Sequence, residues 1–78
     1  MIEFTVYSRM GCHLCEDLLQ QLTQLQQTHD FIVNEVDVDS SPQLIEQYGL
    51  QVPVVTCNDE QICHYFLDQA AILQVLSN

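Results

Sequence analysis

The chain has 78 residues, enough for one small domain, and its eleven acidic side chains against a single arginine give a formal net charge of −10. A chain so poor in cations cannot displace phosphate counterions, which excludes nucleic acid and anionic membrane surfaces as partners. Apolar residues at 47% and charged residues at 15% indicate a folded chain rather than a disordered one.

Ile2 to Ser8, "IEFTVYS", alternates Ile2, Phe4 and Val6 with Glu3 and Thr5 and is expected to be a strand. Gly11 ends it. From about Cys12 to Thr28 the apolar residues Leu14, Leu18, Leu22 and Leu25 recur at helical spacing, with glutamines on the solvent face. Phe31 to Val38 is a second strand. Ser41 and Pro42 form an N-cap and first-turn proline for a short helix, Pro42 to Tyr48, closed by Gly49 as a left-handed C′ residue. Pro53 to Cys57 is a third strand, "NDE" a tight turn, and Gln61 to Tyr65 a fourth strand. Asp68 caps a last helix whose inner face carries Ala71, Ile72, Val75 and Leu76. The order β-α-β-α-β-β-α implies a single α/β domain over 1–78, with a mixed four-stranded sheet and helices on both faces.

The chemistry concentrates in "SRMGCHLCED", Ser8 to Asp17, which holds Arg9, the chain's one arginine in the absence of any lysine, and two of its four cysteines, Cys12 and Cys15. These cysteines fall where a strand ends and a helix begins. A helix N-terminus carries unsatisfied N–H groups and roughly half a positive charge, which favours thiolate over thiol. Thiolate is the attacking species in disulfide exchange, so Cys12 is the expected nucleophile. Cys15, one turn deeper on the same side, is placed to resolve a mixed disulfide. Arg9 adds fixed positive potential, and His13 adds to it when protonated. Glu16 and Asp17 suit the first helical turn but oppose a thiolate. A zinc site is the competing reading, but the five residues between Cys57 and Cys63 exceed the usual spacing, so no metal is expected. Cys57 and Cys63 are expected to be half-buried small hydrophobes on the hairpin rather than a second redox pair. Val52-Pro53 precedes the third strand, and a cis bond there turns the Val52 backbone outward to meet an extended substrate.

"VYSRMGCHLC", the Asp-x-x-Pro-x-Leu…Tyr-Gly run from Asp39 to Gly49, and "VPV" at 52–54 resemble the small bacterial glutaredoxin-like proteins of the thioredoxin superfamily. The resemblance spans nearly the whole chain. It implies a thioredoxin fold with strand order 2-1-3-4 and a cis-proline at Pro53. It also implies Cys12 as nucleophile, Cys15 as resolving cysteine, Arg9 as the basic residue preceding them, and Val52 as the contact to the substrate backbone. Two departures stand out. His13 and Leu14 replace the usual proline and aromatic residue between the cysteines. "CHYFLD", Cys63 to Asp68, lacks the glycine pair that receives a glutathione carboxylate, although Asp68 is retained. These departures and the scarcity of cations argue against glutathione recognition, while glutathione stays open as a reductant.

The leading expectation is a dithiol–disulfide oxidoreductase acting on a protein or small-molecule disulfide, served by glutathione or a thioredoxin-type reductase. The alternatives are a glutathione-dependent iron–sulfur carrier, against which Cys15 weighs, and a non-catalytic thioredoxin-fold interaction module. No apolar run approaches the ~20 residues of a membrane span, and no secretory signal precedes the first strand, so a cytoplasmic monomer is expected.

Overall fold

The strand Glu3–Ser8, β1, lies inside the sheet, hydrogen-bonded to a neighbour along each edge. A computed structural model describes residues 1–77. The chain continues through α1 (His13–Leu25), β2 (Ile32–Asp37), a 3₁₀ turn (Val38–Ser40), α2 (Pro42–Tyr48), β3 (Val54–Cys57), β4 (Glu60–His64) and α3 (Gln69–Ser77). The sheet order is β2-β1-β3-β4. β1 runs parallel to β2 and antiparallel to β3, and β3 and β4 form an antiparallel hairpin. This is the thioredoxin arrangement.

Alternation along β1 divides the interior in two. Phe4 and Val6 face one side, where Leu18 and Leu22 of α1, Phe31, Val55 and Ile72 of α3 complete the larger core. Tyr7 faces the other side and packs with Val38, Tyr48 and Val54, next to Leu44 and Val52. The rings of Phe4 and Phe31 meet edge to face at 5.4 Å, and those of Tyr7 and Tyr48 stack at 4.3 Å. Each fully buried aliphatic or aromatic side chain contributes about 1.5–3 kcal/mol, so the larger cluster carries most of the stability.

The capping signals hold at two helices. The Ser41 hydroxyl accepts the Gln43 N–H at 3.2 Å with Pro42 in the first turn, and an Asp68 carboxylate oxygen accepts the Ala71 N–H at 3.0 Å. Gly49 is different. It is right-handed (φ −57°, ψ −30°), not a left-handed C′ residue. Its need for glycine is steric, since an added Cβ would run into the Ile45 carbonyl of the preceding turn. α1 stops at Leu25 rather than Thr28, and Gln26 to Thr28 continue as turns. The hairpin turns on Asn58 and Asp59 alone, both at positive φ (52° and 66°), so β4 begins at Glu60. β4 also ends at His64, because Tyr65 leaves the sheet at φ +63°.

Phe4 is 0% exposed and in contact with Phe31. Phe4→Ala should therefore cost about 3–5 kcal/mol in chemical denaturation, a large part of the stability of a domain this size. Phe4→Leu should cost much less.

Candidate active site

The site is built where β1 gives way to α1. Gly11 makes the turn possible: it lies at φ +77°, and an added Cβ would meet nothing within 4 Å, so the torsion alone demands glycine. The Cys12 N–H donates to the Arg9 carbonyl at 3.2 Å, closing the loop. Cys12 then sits at the N-cap of α1, where its sulfur accepts the Cys15 N–H at 3.1 Å. The two cysteines are joined as a disulfide. Cys15 is 2% exposed, while Cys12 is only half-buried. Any reagent approaching the pair therefore reaches Cys12 first.

Arg9 is already engaged. Its Nε and Nη2 donate to the two carboxylate oxygens of Asp39 at 3.0 and 3.1 Å, and its Nη1 donates to the Gly49 carbonyl at 3.1 Å. The Asp39 carboxylate holds the guanidinium charged, raising its pKa further. The side chain thereby ties the cysteine loop to the end of α2. His13 is exposed on the first turn of α1. The Val52–Pro53 bond is cis. Because Tyr7 pairs with Val54 in antiparallel register, Val52 and Pro53 lie alongside the residues that follow β1. Among the described residues, no loop or turn hydrogen bond engages the Val52 N–H or C=O.

Three of the residues around this centre carry no signal in the sequence reading. Asp39 and Gly49 stand in the Asp-x-x-Pro…Gly run, but nothing there reveals that they hold Arg9. Tyr65 lies in the Cys63 to Asp68 segment, which lacks the glycine pair, and it stands at positive φ (63°). Its hydroxyl donates to the Leu50 carbonyl at 2.8 Å, linking the segment after β4 to the loop before Pro53. Met10, Leu50 and Phe66, at 93%, 92% and 70% exposed, stand on these same loops.

The other two cysteines stand apart. Cys57 lies at the end of β3 away from the site, opposite Glu60, and Cys63 faces Val55. Both are free and half-buried against the larger core. Among the described residues, no group of three or more His, Cys, Asp or Glu is gathered to hold a metal. No helix there is long and apolar enough to cross a membrane.

Residues 3–77 match the family described as Glutaredoxin-like domain (DUF836). Protein Ne2328 of Nitrosomonas europaea, known from a solution NMR structure, is 36% identical, with 96% of this chain and 91% of that one covered at a TM-score of 0.88. The structural-genomics target protein XcR50 from X. campestris is 28% identical over 95% of each chain, at a TM-score of 0.71. A thioredoxin from Halobacterium salinarum, 23% identical, covers 97% of this chain with 72% of its own length at a TM-score of 0.62, a likeness of fold alone. No curated protein matches the chain.

Burial pushes the Cys63 thiol above its ordinary pKa of 9.0, and the nearby Asp68 carboxylate adds to the rise, against a hydrogen bond from the Asp68 backbone. The folded chain thus holds this proton more tightly than the unfolded chain. The resulting stability is complete below the ordinary thiol pKa and falls as pH climbs through the raised one. Cys63→Ala should flatten that part of the stability–pH curve, measured by urea denaturation between pH 7 and 10.

Proposed function

The chain belongs to the glutaredoxin-like domain family and its function is of the thiol-redox kind; from this we propose that it is a dithiol–disulfide oxidoreductase acting through Cys12 and Cys15. One observation carries the reading. The reachable sulfur of the pair is the N-cap of α1, and the other is buried one turn further on. A thiolate at Cys12 keeps the Cys15 N–H as a charge-assisted donor and sits at the positive end of the helix dipole.

In the reductive direction, the Cys12 thiolate attacks one sulfur of a substrate disulfide. A bond forms to Cys12 as the substrate S–S bond breaks, and the other substrate sulfur leaves as thiolate. Cys15 gives its proton to solvent and attacks the Cys12 sulfur. The Cys12–Cys15 bond forms, and the second substrate sulfur leaves. Two electrons have then passed to the substrate, and an external thiol donor returns them by the reverse steps. Glutathione and a thioredoxin-type reductase are the two classes of donor. With its free backbone amide and carbonyl, Val52, beside Pro53, is the proposed contact to the substrate main chain. Retention of Cys15 in a disulfide supports this reading over a cluster carrier that uses one cysteine.

Cys15→Ser should accumulate a stable mixed disulfide with a disulfide substrate, visible by intact mass. Cys12→Ser should form none and lose turnover. A non-catalytic module would leave both variants indistinguishable from the parent chain.

We assign Arg9 a positioning role: its fork on Asp39 and its bond to Gly49 hold the Cys12 loop against the 3₁₀ turn and the end of α2. Arg9→Lys keeps the charge but not the fork, so it should slow exchange nearly as much as Arg9→Ala. Thiolate absorbance of the reduced protein separates charge from position. Arg9→Ala should raise the Cys12 pKa, and Asp39→Asn, which leaves Arg9 uncompensated, should lower it. Full rescue of the exchange rate by lysine would show that Arg9 acts by its charge alone.

A further inference from the structure

Next to the cysteines, α1 and the segment between β4 and α3 enclose a groove of about 150 Å³ that the exchange chemistry does not use. Leu14, Leu18 and Leu67 line it together with Gln21, Tyr65, the exposed Phe66 and the acidic Asp17. Leu14, which lines the groove, stands between Cys12 and Cys15 in the chain, so one wall of the groove belongs to the helix turn that carries the pair.

The segment that carries Tyr65 and Phe66 is held in place. Tyr65 keeps a left-handed backbone (φ +63°), a conformation uncommon for a non-glycine residue and one that clusters at functional sites. Its N–H donates to the Pro53 carbonyl at 2.9 Å, its hydroxyl donates to the Leu50 carbonyl at 2.8 Å, and its ring meets His64 edge-on at 4.7 Å. The next N–H, of Phe66, donates back to the His64 carbonyl at 2.7 Å. Phe66 is thereby presented to solvent, 70% exposed.

Apolar lining, aromatic faces and one carboxylate together select an alkyl stem that ends in a cation. The leucines cover the stem, and Asp17 and the exposed Phe66 ring are the groups that attract the cation. Anionic groups are rejected by Asp17 and by the net charge of −10, which also draws cationic partners from a distance. A cavity near 150 Å³ suits one side chain and not a tripeptide. We propose that this groove is a subsite for a lysine or arginine side chain flanking the disulfide of a polypeptide substrate. The proposal rests on the exchange reading of Cys12 and Cys15.

The test uses the reduced full-length protein and three peptides that share one disulfide and differ at a flanking position: lysine, norleucine or glutamate. The lysine peptide should be reduced roughly five- to tenfold faster in kcat/KM than the norleucine peptide, and the glutamate peptide slowest. Asp17→Asn and Phe66→Ala should each bring the lysine-to-norleucine ratio towards one. Glu46→Gln, an equal change of charge on exposed α2, should leave that ratio as it is. Equal rates for all three peptides would overturn the subsite while leaving dithiol exchange intact. A lysine preference that high salt abolishes and that ignores Asp17 and Phe66 would reduce it to long-range steering and overturn it too. Failure to reduce any peptide would sink the exchange reading and the subsite with it.

Discussion

A sulfur atom closes the first turn of α1, at a position where helices commonly use the oxygen of serine, threonine or aspartate. Every other feature of the site answers to that choice. Gly11 is needed to swing the chain from β1 so that Cys12 arrives as a cap, and the parallel β1–β2 pairing fixes where β1 ends. The cap also couples local structure to chemistry. A sulfur that bears charge accepts the Cys15 N–H more strongly than a neutral one, so the helix end is firmest in the thiolate state.

The second organising contact bridges thirty residues of sequence. A planar guanidinium matched to both oxygens of Asp39 leaves a further N–H for the Gly49 carbonyl, and lysine cannot reproduce that geometry. In an acidic chain the lone cation would be expected to face an anionic ligand. It instead neutralises one of the chain's own carboxylates and satisfies a carbonyl at the C-terminal end of α2. Gly49 belongs to the same device, because its bare Cα lets the backbone close against Ile45 and present its carbonyl to Arg9.

The strands and α1 are legible in the sequence because apolar residues at periods of two and 3.6 report which face is buried. Cys12, Cys15 and Pro53 are legible because each occupies a place where a strand and its neighbouring segment meet. The Arg9 partners are not, since nothing local joins residue 9 to residue 39. Gly49 misleads for a physical reason: glycine after a helix commonly signals positive φ, but here it relieves a clash. Tyr65 misleads in the opposite sense, being a bulky residue in a conformation that sequence reasoning reserves for glycine. With it one side of the groove escapes notice, because Tyr65 looks like the end of a strand.

The sheet order leaves β2 and β4 as its two edges. Such edges carry unpaired backbone groups that invite another strand. Along β2 the exposed positions include Asn34, Glu35 and Asp37, and β4 opens with Glu60 and Gln61. Two copies approaching edge to edge would bring carboxylates together with no lysine to relieve them. The acidity of the chain thus guards the open flanks of the sheet against runaway strand addition, a hazard that a domain of this size has little other bulk to cover.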